Sequence, residues 1–444
     1  MLNKVKFYLS LILAQMTRLG ITVFSKSSGT SLAGMLVLKF YPEFLKDCGK
    51  YITEKSVTVS GTNGKTTTSG LIAHIFEENQ KTVIHNVKGA NMLTGVANVF
   101  ALNILPFRKF QYSVIESDEA YLNKLYDFMK SDYLVVTNLF RDQLDRYGEL
   151  TTTAGLIQKA IDKNSDLNLI LNADDPLVAK FGWKRKNVAY YGFEGVEYDY
   201  EVSESNAPTE VFNCVCGKAL RYTKRFFAQQ GHYSCDCGYS RPVCKYKAFA
   251  KIYRNCSEIT ISYDGKILNF KTYLVGLYNA YNALAAISLA LENGVGEDTI
   301  QEALNSYKSI FGRTEKKDIL GHETLIQLIK NPTGASEVLK TVDLNSNIII
   351  AINDNYADGR DISWLWDSDF EQLSRVKNKI TASGLRANDV ALRLKYAGVP
   401  SDKIIIDENI ENAIKTTAQR IGNGETITIL PSYTALLKIN KMKF

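Results

Sequence analysis

The sequence predicts an α/β fold of two unequal domains, a central parallel-sheet domain carrying a small cysteine-bearing insert and a smaller Rossmann-like α/β domain after it. Three observations predict this. A β-branched run, Ser56–Ser60, passes into a glycine-bearing turn and then into Lys65–Thr68, the order strand, loop, helix. From Ser56 to about Asp175, and again from about Lys317, strand-like runs alternate with helical patterns, the rhythm of parallel strands covered on both faces. Between the two, Asn206–Lys247 breaks that rhythm with two C-x-C pairs.

A chain of 444 residues, 45% hydrophobic, is long enough for two or three cores. Lysine and arginine exceed aspartate and glutamate by 53 to 47, a formal charge of +6. That surplus is too mild to argue nucleic-acid binding, but it suits anionic substrates or an anionic membrane face. Seven cysteines in so large a chain read as a metal site and a reducing cytoplasm rather than a disulfide framework. At the start, Leu2–Phe24 carries Lys4, Lys6 and Arg18 around the apolar group Phe7–Ala14, too short to span a bilayer and followed by no cleavage pattern. Its apolar residues share a helix face that either packs on the body of the protein, the commoner arrangement, or rests on a membrane surface. The expected division is a helical segment at 1–54, the central domain at 55–312 with its insert at about 206–247, and the C-terminal domain at 313–444.

In SVTVSGTNGKTTTSG, Gly61 and Gly64 let the backbone turn N–H groups toward an anion, and the helix that follows adds the positive end of its dipole. The natural guest is a nucleotide phosphate, held by Gly61, Thr62, Asn63, Gly64, Lys65, Thr66 and Thr67. Lys65 would reach the β- and γ-phosphates, and Thr66 would join the coordination of Mg²⁺. The loop departs from the strict Walker pattern, whose first glycine this chain lacks.

Thr82–Val87, Tyr112–Glu116, Tyr133–Thr137 and Asn168–Leu171 are the expected further strands, with helices at Tyr121–Met129 and Thr151–Lys163. Ligands in such sheets sit at the carboxyl ends of the strands. There Glu116 is placed to hold Mg²⁺ opposite Thr66, with Asp118 and Glu119 less well placed. Asn138 stands at the next strand tip, and Asp142 and Asp145 follow on one face of a helical turn or as ordinary helix-start acids. In NADDP the aspartates cap a helix starting at Pro176, or Asp174 touches the nucleotide edge.

The insert carries Cys214 and Cys216, then eighteen intervening residues, then Cys235 and Cys237, each pair followed by glycine. Two such knuckles face each other in a zinc ribbon, giving four thiolates for a structural Zn²⁺ with no open position for chemistry. Cys244 and His232 are spare ligands. After it, Phe249–Leu274 alternates like antiparallel strands around the turn YDGK, and an alanine-rich helix ends at Gly294. Asn279 and Asn282 present amides on one face of it, suited to an adenine edge or a phosphate, and Arg313 in FGRTE is a phosphate clamp.

The C-terminal strands are expected at Thr324–Ile329, Asn347–Ile352, Lys379–Ala382, Lys403–Ile406 and Thr426–Leu430, with helices Ser336–Val342, Arg386–Ala397 and Glu411–Ile421. Lys330 would point at the cleft between the domains. Asp354, Asp358 and Asp361 crowd one loop just before Trp364 and Trp366, more acid than a turn needs and an aromatic surface of the interface kind.

GTNGKTTT, the acid at Glu116, Thr137–Asn138, the G-x-x-N-x-x-N helix from Gly276 and GRTE at Gly312–Glu315 together resemble the Mur ligase family. The chain departs from it in having DQLD at Asp142–Asp145 and LIKNPTG at Leu328–Gly334. The cysteine insert, NDNYADGRDISWLW and LPSYTALL resemble its lipid II-amidating branch. The resemblance implies a Mur ligase-like ATPase fold and an ATP- and Mg²⁺-dependent amidation of the α-carboxylate of D-glutamate in lipid II, through an acyl phosphate, at the inner face of the membrane. It implies a heterodimer with a glutaminase, GatD, to whose Cys-His pair this chain lends an aspartate. That role falls on Asp361, with Asp358 or Asp354 as substitutes, and Glu116 and Lys330 complete the catalytic set. A glutaminase needs a cysteine beside a histidine. Outside the insert's pairs only Cys48, Cys244 and Cys256 remain, so nitrogen must come from another chain. The alternatives are a Mur or folylpolyglutamate-type ligase that adds an amino acid, and a zinc-ribbon ATPase on nucleic acid, for which Arg221–Phe227 is the one basic, aromatic stretch.

Overall fold

The computed structural model describes all residues except 1, 25–30, 88–89, 105–107, 142–149, 201–210, 212, 309–312, 423 and 443–444. Three helices come first, α1 (Leu2–Phe24), α2 (Leu32–Phe40) and α3 (Phe44–Cys48). Among the described residues no helix is long and apolar enough to cross a membrane.

The strands β1 (Ile52–Ser60), β2 (Val83–His85), β3 (Phe110–Glu116), β4 (Tyr133–Val136), β5 (Asn168–Asn172) and β6 (Val188–Tyr198) form a parallel array. A separate hairpin, β7 (Arg221–Phe227) with β8 (Gln230–Ser234), interrupts it. The array resumes with β9 (Tyr246–Ile252), β10 (Ser257–Tyr263) and β11 (Lys266–Thr272), giving nine strands in the order 11-10-9-6-5-4-1-3-2. β9 runs parallel to β6, whereas β10 and β11 are antiparallel, turned by Asp264 and Gly265 at φ 47° and 75°. Positive φ at both centres is the hairpin turn whose twist matches the strands. The phosphate-loop helix α4 (Lys65–Glu78) and then α5 (Leu93–Asn103) follow β1 and β2.

Side chains alternate to the two faces of this sheet. Val57, Val59 and Val135 enter one core with α4 and the helix Leu277–Glu292, while Leu134 and Val136 enter the other with α1, α2 and α5. The second sheet holds β12 (Arg313–Ile319), β13 (His322–Gln327), β14 (Asn347–Ala351), β15 (Ile380–Ser383), β16 (Ile404–Asp407) and β17 (Ile427–Pro431) in the order 12-13-17-14-15-16. Ile348 and Ile350 of β14 face one core, Ile349 and Ala351 the other.

Some elements differ from expectation; the helix expected at Ser336–Val342, for one, is Pro332–Thr341. The helix after β3 is Glu119–Leu125 and stops short of Met129. β6 and β12 were not expected; β12 is a charge-rich edge strand paired, among the described residues, with β13, so it carries little apolar alternation.

Candidate active site

The turn after β1 is a phosphate loop clamped from the next strand. Gly61 and Gly64 sit at φ 122° and 85°. A Cβ at Gly61 would strike Thr137 and Asn138, and one at Gly64 would strike the Asn282 amide, so both positions exclude side chains twice over. Asn138 holds the loop on both sides: its carbonyl accepts from Thr62 N at 2.9 Å, and its side chain accepts from Asn63 N at 2.8 Å and donates to Asn63 O at 3.0 Å. Thr137 Oγ1 donates to the same carbonyl at 2.7 Å. Ser60, the last residue of β1, is fully buried and donates to Ser117 O at 3.0 Å, tying β1 to the end of β3.

Lys65 is buried and turned back into the loop. Its Nζ donates to Gly61 O at 2.5 Å, to Thr62 O at 3.1 Å and to Glu119 Oε2 at 2.9 Å. Burial opposes its charge, but the carboxylates of Glu119, Asp118 and Glu116 outweigh that and hold its pKa above the ordinary lysine value. Glu119, the poorer Mg²⁺ candidate, is thus the partner of Lys65, and Asp118 caps its helix by accepting from Ala120 N at 3.0 Å.

Glu116 ends β3 beside the loop. Asn91 donates to its Oε1 at 3.0 Å, and Asn86 brackets its backbone. Its Oε2 and the Thr66 hydroxyl are buried with no hydrogen-bond partner. Two orphaned hard oxygens at a phosphate loop fit Mg²⁺, which takes few protein ligands beside phosphate and water. His85, at the end of β2, bonds Ser69 Oγ at 3.2 Å, and burial pushes its ring down to about 4 against the pull of Glu116.

A cleft, partly open to solvent, lies between the two sheets. Asn63, Gly64 and Thr67 form one side, Asn279 and Asn282 another, and Lys330, Asn331 and Gly334 the far wall. Asn282 accepts from Thr68 Oγ1 at 3.4 Å, and its amide donates to Asn279 at 3.2 Å, so both asparagines line the cleft as one unit. The side chain of Arg313, and Asp142 and Asp145, lie outside the described residues. Asp174 does not reach the cleft: fully buried, it pairs with Arg241 at 2.6 Å and accepts from Phe193 N and Tyr281 OH. Asp175 caps the helix Pro176–Lys180, as its place before proline implied.

Next to the sheet the thiols of Cys214, Cys216, Cys235 and Cys237 lie within 4.8 Å of one another. The pairs Cys214–Cys237 and Cys216–Cys235 are 3.6 Å apart, close to the ~3.8 Å edge of a tetrahedron with Zn–S near 2.3 Å. Gly217 and Gly238, at φ 84° and 90°, close the two C-x-C knuckles. Gly217 N donates to Cys214 O at 2.9 Å and Gly238 N to Cys235 O at 3.0 Å, closing each turn. These four residues fit Zn²⁺; the spare ligands stand aside, His232 on Phe193 O at 2.8 Å and Cys244 buried elsewhere.

The three loop acids have separate surroundings. Asp354 pairs with Arg386, and Asp358 accepts from Thr434 N and Oγ1 at 2.7 and 2.5 Å. Asp361 is exposed and accepts from Ser363 N at 2.8 Å; hydrogen bonds from Ser363 hold its carboxyl below the usual range. Tyr356 and Trp366 stand exposed nearby in sequence.

Two family models match, the Mur ligase middle domain over residues 59–223 and the MurT ligase C-terminal domain over residues 328–436. The chain is 36% identical over 417 residues to the MurT subunit of lipid II isoglutaminyl synthase (glutamine-hydrolyzing) of Staphylococcus aureus strain COL, covering 92% of this chain and 91% of that one. It is 35% identical to the subunit of the same name from Streptococcus pneumoniae strain R6, over 93% and 92% of the two chains. Among solved structures it resembles a pseudomurein peptide ligase type C from Methanothermus fervidus, with TM-score 0.65, 22% identity and 92% and 84% coverage.

Proposed function

Because the chain belongs to the MurT family of lipid II isoglutaminyl synthase subunits, we propose that its cleft activates the α-carboxylate of D-glutamate in the lipid II stem peptide with ATP and delivers it to ammonia. It is an ATP-dependent ligase of the Mur type. The carboxylate oxygen attacks the γ-phosphorus, the bond to the bridging oxygen breaks, and ADP leaves. Ammonia then attacks the acyl carbon, phosphate departs with the C–O electron pair, and the nitrogen gives up its surplus proton, leaving D-isoglutamine.

Lys65 supplies positive charge where the γ-phosphoryl moves, and Gly61–Thr67 with Asn279, Asn282 and Arg313 hold the nucleotide. Mg²⁺, held by Thr66 and Glu116, would neutralise phosphate charge. Lys330, on the opposite wall, is suited to drawing in the substrate carboxylate. Zn²⁺ on the four cysteines would secure the hairpin β7–β8, which sends Phe227 into the cleft wall.

Ammonia comes from a partner glutaminase of the GatD kind. Burial raises the thiols of Cys48, Cys244 and Cys256 above the ordinary value, which disfavours the thiolate a glutaminase requires. Asp361 is the acid left facing outward, and Tyr356 and Trp366 give the partner an aromatic surface. Lipid II is membrane-held, so the reading also puts the chain at a membrane face.

The observation that carries this reading is the pair of orphaned oxygens, Thr66 Oγ1 and Glu116 Oε2, beside the buried Lys65. Incubating the protein with ATP, lipid II and either ammonium or an amino acid, with products read by mass, tests it. Exchange of one hydroxyl for an amino group, lost in Lys65→Ala, is expected. An amino-acid adduct formed without any amidation would replace the reading.

A further inference from the structure

α1 is apolar on two sides, and the fold uses one of them. Phe7, Leu11 and Ala14 are buried in the core shared with α2 and α5. On the other side Val5, Leu9, Ile12, Met16 and Leu19 stand between 47% and 65% exposed. Their spacing of four and three residues makes one continuous stripe along the helix, opposite the buried face. α2, packed against α1, adds Leu32, Met35 and Phe40. Eight of the 23 exposed large apolar side chains among the described residues thus fall in the first 40 positions, a concentration that scattered surface residues do not produce.

The charge of this region is one-sided. The first 42 residues contain five basic residues, Lys4, Lys6, Arg18, Lys26 and Lys39, and no acid. On a helical projection Lys4 and Lys6 flank the apolar stripe, one on each shoulder. A second copy of this face would repel the first, whereas an anionic lipid surface attracts it and accepts the stripe among its acyl chains.

We propose that α1 lies flat in the interface of an anionic bilayer, with the Val5-to-Leu19 stripe below the headgroups and Lys4 and Lys6 at the lipid phosphates. The inference rests on the reading that the substrate is lipid-linked. It adds how the chain stays beside that substrate, no helix among the described residues being long and apolar enough to span.

The test is co-sedimentation of the full chain with phosphatidylglycerol/phosphatidylcholine vesicles, with phosphatidylcholine vesicles as comparison. The expected result is salt-sensitive binding to the anionic vesicles, reduced about tenfold or more in the double variant Leu9→Glu/Met16→Glu. Both side chains are exposed, so the variant keeps its melting temperature, and ADP binding is unchanged. Wild-type protein left in the supernatant, or a variant that binds as well as wild type, overturns the proposal. So does a concentration-dependent dimer abolished by the variant, since a second copy would then cover the stripe. Amidation of a water-soluble stem peptide by the chain with its glutaminase tests the underlying reading separately. Intact amidation without vesicle binding refutes the role of α1 alone, and vesicle binding without amidation refutes the activity.

Discussion

Asn63 and Asn331 exchange two hydrogen bonds across the cleft, Asn331 Nδ2 to Asn63 Oδ1 at 2.9 Å and Asn63 Nδ2 to Asn331 Oδ1 at 3.3 Å. One belongs to the phosphate loop. The other caps the first helix of the C-terminal sheet's domain, accepting from Gly334 N at 2.8 Å. The pair therefore registers the wall that bears Lys330 against the loop that bears Lys65. Asn63→Ala is expected to lower kcat by about tenfold to a hundredfold, with stability changed by less than about 1 kcal/mol, because misplaced reacting groups are felt more in rate than in folding. Steady-state kinetics alongside a urea melt measures both. Asn331→Ala should add a cap loss of about 1 kcal/mol.

Glu119 is the counter-charge of Lys65 inside the fold. Glu119→Ala leaves a buried ammonium with less compensation, a change expected to cost about 3 kcal/mol of stability. Nucleotide phosphate would restore the missing negative charge, so saturating MgADP should recover part of that loss. Chemical denaturation with and without nucleotide measures it; equal losses in both conditions would mean that phosphate does not approach Lys65.

Thr66→Ala and Glu116→Gln each remove one of the orphaned oxygens. Either should raise the Mg²⁺ concentration needed for half-maximal ATP turnover by about tenfold or more, and Asn91→Ala, which frees the Glu116 carboxylate to turn, should do so less strongly. A Mg²⁺ titration of the three variants orders them, and an unshifted Glu116→Gln would place the metal elsewhere.

His85 makes the fold sensitive to acid. Its ring stays neutral down to about 4, while in the unfolded chain it takes a proton below the ordinary 6.5. Between those values the unfolded state binds the extra proton, so stability falls as pH falls, by up to about 1.4 kcal/mol per pH unit. Asp175 acts in the opposite sense: burial pushes its carboxyl from 3.8 up to about 6, and its contribution falls as pH rises between those values. The comparison is therefore wild type against His85→Gln, and the variant should lose less stability on going from pH 6.5 to 4.

The cysteine cluster should carry one Zn²⁺ per chain, released by a strong chelator with unfolding of the β7–β8 hairpin. Metal analysis before and after chelation checks the ratio, and far-UV circular dichroism with limited proteolysis follows the hairpin. A ratio near zero in protein purified without chelators would refute the site.

Much of the molecule could be read from short stretches. The glycines of the phosphate loop, the knuckle glycines, the Asp264–Gly265 turn and the Gly294 helix end at φ 72° each answer a backbone need set by their immediate neighbours. Asp175 before Pro176 announced its cap in the same way. β6 and β12 were missed for different reasons. β6 is sandwiched between β5 and β9 with the whole cysteine insert between it and β9, and β12 is held, among the described residues, by β13 alone.

The list of chemical parts was already written in the order of the residues: a phosphate loop with its lysine and threonine, an acid at a strand end, four thiols in two knuckles, and the αβ alternation that carries them. Such features depend on dihedral preference and apolar period, which act over a few residues. Which parts meet was set by packing. Lys65 faces Glu119, 54 positions on, Asn63 faces Asn331, 268 positions on, and α1 shows an apolar stripe because the core needs its other side. Pairings of that kind follow from how two sheets and their helices close on one another, and no local preference along the chain encodes the distance between them.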